Sequence, residues 1–96
     1  MGEQTVERTL GVLKVFIIKG CLGCKRALEL VDWMKGINPR LVVEVIDLAM
    51  NPNAGRNLVF AVPTYVYDSS PVFFGNPSKG QLMTWLEGLG GLEPAI

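Results

Sequence analysis

The chain has 96 residues, 49% of them apolar, and a mean hydropathy of +0.31, which is enough for one domain with a single core and too little for two. Nine basic and nine acidic side chains cancel to zero net charge at a pI near 6.2, so no basic face is available for nucleic acid. The strongest apolar run, Val15 to Ile18, falls far short of the roughly 20 residues that span a membrane.

In chain order, Met1 to Gly11 is polar and weakly patterned, and it lacks the basic start and apolar centre of a secretory signal. It reads as an extension, 1–11, before a domain covering 12–96, and a cytoplasmic setting is expected. Val12 to Ile18 is an apolar run with strand character. Gly20-Cys21-Leu22-Gly23-Cys24 follows and holds the two cysteines of the sequence. A helical pattern beginning at Leu22 then turns Cys24, Ala27, Leu28, Val31 and Met34 to one side, with Lys25, Arg26, Glu29, Asp32 and Lys35 facing out. Gly36 and Pro39 are read as its end.

Leu41 to Asp47 is a β-branched strand expected to be mostly buried. Two strands joined by a crossover helix should lie parallel in a βαβ unit. Asn51 to Gly55 has turn chemistry, and Ala54 to Phe60 has room for a short helix. Thr64 to Tyr67 and Val72 to Phe74 read as a hairpin around Asp68 to Pro71. Ser78 followed by Gln81 makes a capping box, opening a helix that buries Leu82, Trp85, Leu86 and Leu89 and stops at Gly90-Gly91. The order is therefore β-α-β, then β-β-α.

The CxxC pair carries the chemistry. Placed at a helix N-terminus, Cys21 meets unpaired N–H groups and a dipole that favour negative charge. That placement is worth at most about 2 kcal/mol, and one pKa unit is about 1.36 kcal/mol, so a thiol with an ordinary pKa of about 8.5 is drawn toward neutrality. Lys19 and Lys25 flank the pair and are read as groups that tune this pKa, a solvated basic face being the other reading of them. In a reducing compartment such a pair points to redox catalysis or metal binding rather than to a structural staple. With no histidine in the sequence, two thiolates cannot complete a tetrahedral zinc site within one chain. A Cu(I) carrier remains an alternative, since Cu(I) accepts soft thiolates, and so does a redox-inert interaction domain. Tyr65, Tyr67, Trp33 and Trp85 are read as core or groove wall.

Strand, CxxC and helix, together with Val62-Pro63-Thr64 at the start of the third strand, resemble the thioredoxin-like superfamily. Asp47 with Asn51-Pro52, and Ser78-Lys79-Gly80-Gln81-Leu82, add to the resemblance, which covers about residues 12–90. In size, and in its Gly-Cys-x-x-Cys-Lys segment, the chain looks close to a small glutaredoxin-like redoxin. The resemblance implies an α/β thioredoxin-like fold with a central four-stranded mixed sheet flanked by helices. It also implies a thiol–disulfide oxidoreductase with Cys21 as nucleophile and Cys24 as resolving thiol, needing no cofactor. Pro63 is implied to be cis and to pack against the disulfide, and Val62, Pro63, Gly20 and Leu22 to contact substrate. A disulfide-containing protein or glutathione is the implied partner, a reductase or glutathione the implied electron donor, and a monomer the implied state. Two departures stand out. Leu22-Gly23 replaces the dipeptides that both thioredoxins and glutaredoxins favour between the cysteines. Val15 and Val43 stand where the thioredoxin pattern has a buried acid and its lysine partner.

Overall fold

The computed structural model describes residues 11–55 and 61–89. Six elements follow in the order β1 (Val12–Ile17), α1 (Cys24–Ile37), β2 (Val42–Asp47), β3 (Thr64–Tyr67), β4 (Ser70–Phe74) and α2 (Lys79–Gly88). Of the expected extension, only Gly11 is among the described residues, and its carbonyl accepts from the Val42 N–H at 3.2 Å. The short helix expected up to Phe60 and the stop at Gly90-Gly91 lie largely or wholly outside the described residues.

The four strands form one mixed sheet in the order β2-β1-β3-β4. β1 runs parallel to β2 and antiparallel to β3, so it occupies the interior of the sheet. Side chains alternate across a strand. Leu13, Val15 and Ile17 of β1 therefore share a face with Tyr65 of β3, and they form one buried cluster with Cys24, Ala27, Leu30, Val31 and Met34 of α1 and Leu82 and Leu86 of α2. Phe16, Thr64 and Val66 point the other way and are also buried.

β2 departs from expectation: it is an edge of the described sheet, Val43 is its buried residue, and Val42 and Val45 are each 38% exposed. A run of β-branched residues matches a pleated surface but carries no information about which strand ends up outermost.

In α1 the buried face includes Leu30 and leaves Leu28 41% exposed. At about 100° per residue, Leu28 and Leu30 each lie roughly 80° from the centre of the face set by Cys24, Ala27, Val31 and Met34, on opposite sides of it, so helical spacing does not choose between them. The helix also passes through Gly36 and ends at Ile37. Pro39 is the terminator, because the residue before a proline is pushed out of the helical region, and Asn38 sits at φ −147°, ψ 80°.

The hairpin turn is tighter than expected. Asp68 and Ser69 have φ of 47° and 72°, the positive pair required by a two-residue turn whose twist matches the strands. Ser70 is thus already in β4. The capping box at α2 is formed in both directions, with the Gln81 N–H donating to Ser78 Oγ at 3.0 Å and the Ser78 N–H to Gln81 Oε1 at 2.8 Å. Trp85 and Leu89 are only partly buried, Trp85 stacking edge-to-face with Tyr67 and Phe73. No helix among the described residues is long and apolar enough to cross a membrane.

Candidate active site

β1 ends at Ile17, and the chain turns at once, with the Cys21 N–H donating to the Ile18 carbonyl at 2.9 Å. Gly20 takes φ +87° in this turn and Gly23 takes φ +94° as the N-cap of α1, values that L side chains adopt only at a cost. The helix therefore starts at Cys24, later than the pattern from Leu22 predicts, and Cys21 lies in the turn before the N-cap. The Cys24 N–H donates to the Cys21 carbonyl at 3.1 Å. Cys21 and Cys24 are joined as a disulfide, with their Cα atoms 5.2 Å apart.

The two sulfur-bearing residues differ in access. Cys24 is 2% exposed and belongs to the core cluster, whereas Cys21 packs against that cluster and stays partly exposed. Leu22 between them is 99% exposed. Lys19, Gly20, Cys21, Cys24 and Lys25 line one cavity of about 360 Å³, closed on its apolar side by Ile17 and Leu28. Lys25 and Arg26 stand in the first turn of α1, which contains no acidic residue. Cations there oppose the helix dipole. Arg26 pairs with Glu29 at 3.3 Å, while Lys19 and Lys25 border the cysteine cavity.

Val62 and Pro63 arrive from the other side. The Val62-Pro63 peptide is cis, Pro63 is buried, and its Cδ lies 3.9 Å from where a Cβ on Gly23 would stand. The Pro63 carbonyl accepts from the Gly75 N–H at 2.8 Å, which ties the segment before β3 to the one after β4. Val15 is fully buried in the same core cluster as Cys24, and its partner across the parallel pair is Val45. Val43, the position where the resemblance implies a lysine, pairs with Leu13 and is buried.

Sequence reasoning missed one residue of this site. Asn76 donates through Nδ2 to the Gly23 carbonyl at 2.8 Å and accepts at Oδ1 from the Tyr65 hydroxyl at 2.9 Å. Its partners are 53 and 11 positions away, so no local pattern marks it. Tyr65 itself is core, as expected, with its phenol pushed up to about 12 by burial, partly offset by the Arg26 charge. A larger cavity, about 560 Å³, lies along β4 and α2 against Val72, Phe73 and Trp85 and includes neither cysteine.

No protein-family model matches the sequence, and no curated protein does. Solved structures do match in three dimensions. A thioredoxin-2 described as a component of the malaria parasite protein secretion machinery superposes with a TM-score of 0.73 at 18% identity, over 88% of this chain and 86% of its own. This is the thioredoxin fold. A variant thioredoxin from Halobacterium salinarum reaches a TM-score of 0.69 at 22% identity, over 90% of this chain and 80% of its own. Oxidised thioredoxin O1 from Arabidopsis thaliana reaches 0.63 at 17% identity, over 83% and 78%. This version of the thioredoxin fold carries a Cys21–Cys24 disulfide at the start of its first described helix.

Proposed function

We propose that the protein is a thiol–disulfide oxidoreductase in which Cys21 is the nucleophile and Cys24 the resolving thiol. The observation that carries this reading is the unequal access of two disulfide-bonded cysteines, Cys24 at 2% exposure and Cys21 partly exposed. An attacking thiol must be reached by substrate, and a resolving thiol must be reached only by its partner.

In the reducing direction, the Cys21 thiolate attacks one sulfur of a substrate disulfide. The S–S bond breaks, a mixed disulfide forms on Cys21, and the departing thiolate takes up a proton. Cys24, deprotonated, then attacks Cys21 Sγ and releases the second substrate thiol. Two electrons and two protons have passed to the substrate, and the protein holds the disulfide seen here. A reductase or glutathione restores the dithiol.

The substrate is a protein disulfide or glutathione disulfide. Leu22, fully exposed beside Cys21, and the Val62-Pro63 segment beside Gly23 supply an apolar approach. An extended peptide pairing with the Val62 backbone in the manner of an added strand fits that approach. Lys19 and Lys25 favour the thiolate by proximity to the same cavity as the cysteines. The direct test is catalysis of protein-disulfide reduction by dithiothreitol. The native protein should accelerate it, Cys21→Ser should abolish the acceleration, and equal rates with and without the protein would overturn the reading.

A further inference from the structure

We propose that Asn76 is a positioning residue for the cysteine pair, bridging the Gly23 peptide between the two cysteines to the buried Tyr65 hydroxyl. The inference rests on the redox reading above and names the groups that hold its geometry.

The bridge has one polarity. The Gly23 carbonyl only accepts, so the amide nitrogen of Asn76 must face it, at 2.8 Å. That orientation turns Oδ1 toward Tyr65, whose hydroxyl donates at 2.9 Å. Burial keeps the phenol protonated and hence a donor over the whole physiological range. Three segments distant in sequence are joined in this way: β3, the segment between β4 and α2, and the turn carrying the cysteines.

Gly23 is the point where such a contact acts on the sulfurs. It is the N-cap of α1, and its carbonyl also accepts the Ala27 N–H at 3.0 Å, the first backbone bond of the helix. Fixing that carbonyl fixes the start of the helix on which Cys24 is the first residue. A Cβ on Gly23 would lie 3.4 Å from Asn76 Nδ2, an ordinary contact, so glycine is favoured here by its φ of +94° rather than by lack of room.

A pinned peptide keeps the two thiols of the reduced pair close to bonding geometry, which raises their effective concentration for each other. Losing the pin should therefore make ring closure less favourable and slower. The exchange concerned is dithiol plus glutathione disulfide giving protein disulfide plus two glutathione thiols, with two electrons and two protons leaving the cysteine pair.

The test measures that equilibrium constant for the native chain, Asn76→Ala, Tyr65→Phe and the double variant. Asn76 is exposed, so its truncation leaves no buried hole. Asn76→Ala is expected to lower the constant three- to tenfold, a tenfold change being about 30 mV for a two-electron couple, and to slow resolution of a Cys21–glutathione mixed disulfide by a similar factor. Tyr65→Phe should shift the constant the same way by less, because the bond to Gly23 survives without its orienting donor. The double variant should shift no further than Asn76→Ala, because the two residues act as a unit. A constant for Asn76→Ala within twofold of the native value, or one shifted toward the disulfide, overturns the proposal even if thermal stability falls. A double variant equal to the sum of the single shifts overturns the link through Tyr65. A native chain that forms no disulfide in any glutathione buffer overturns the redox reading and this inference with it.

Discussion

Cys21 and Cys24 share a disulfide, yet Cys24 is buried to 2% exposure in the core cluster while Cys21 stays partly open beside the fully exposed Leu22. The asymmetry follows from the backbone: Gly23 caps α1 in a left-handed conformation, so Cys24 enters the helix on its buried face and Cys21 is left in the preceding turn. It underlies the separate roles proposed for two residues of identical chemistry.

The first prediction concerns trapping. A Cys24→Ser variant should accumulate mixed disulfides through Cys21, and Cys21→Ser should accumulate none. Alkylation of the reduced protein near pH 7 should modify Cys21 first. Equal alkylation rates for the two thiols would contradict the assignment.

The second prediction concerns the proton on Cys24. Val15, in the same core cluster as Cys24, is apolar and offers no base there, and a buried thiol resists ionisation. Resolution of the mixed disulfide should therefore be the slow, pH-dependent step. In Val15→Asp the new carboxyl would be buried, with its folded pKa raised above the unfolded value of about 3.9. The unfolded state then releases its proton first, so the variant loses stability as pH rises above about 4, by a few kcal/mol once the group is charged. Resolution near pH 7 should nonetheless quicken. Stopped-flow rates no faster than the parent's from pH 6 to 9 would show that Val15 is a core residue alone.

Tyr65 gives a third prediction, at alkaline pH. Its hydroxyl ionises near 10 in the unfolded chain and at about 12 in the fold, because burial disfavours the phenolate. Between those values the unfolded state binds fewer protons, so stability is intact below pH 10 and falls as pH rises toward 12. At about 1.36 kcal/mol per unit the loss should reach roughly 2 to 3 kcal/mol. Urea unfolding of the oxidised protein at pH 9 and pH 11.5 measures it, and Tyr65→Phe should flatten most of the difference. An equally steep loss in that variant would place the sensitivity elsewhere.

How much of this could be read in the sequence depended on the range of the interaction. The βαβ unit, the Ser78–Gln81 capping box and the CxxC before a helix are local patterns, and local patterns are legible in one sequence. The exposed edge position of β2 follows from the order in which distant strands pair, and Asn76 acquires its role from partners 53 and 11 positions away. Neither leaves a mark in nearby residues. The exchange of Leu28 for Leu30 on the buried face is intermediate: the two leucines flank that face symmetrically, and which flank is covered depends on how the helix lies against the rest of the fold.

That exchange is itself testable. Leu30 is fully buried, and Leu30→Ala should cost about 2 to 5 kcal/mol. Leu28 is 41% exposed beside the cysteine cavity, and Leu28→Ala should change stability by no more than about 1 kcal/mol, part of its side chain being in solvent already. Denaturant midpoints for the two variants decide the matter, and comparable losses would mean that the face of α1 is assigned wrongly.

The most direct measurement of the central claim is equilibration of the purified protein with glutathione buffers of defined ratio, followed by acid quenching, alkylation and mass analysis. The account predicts one two-electron transition in which Cys21 and Cys24 lose and regain two alkylatable thiols together, fully reversible from either side. Two thiols that remain alkylatable at every poise, or that form only separate glutathione adducts without closing on each other, would contradict it.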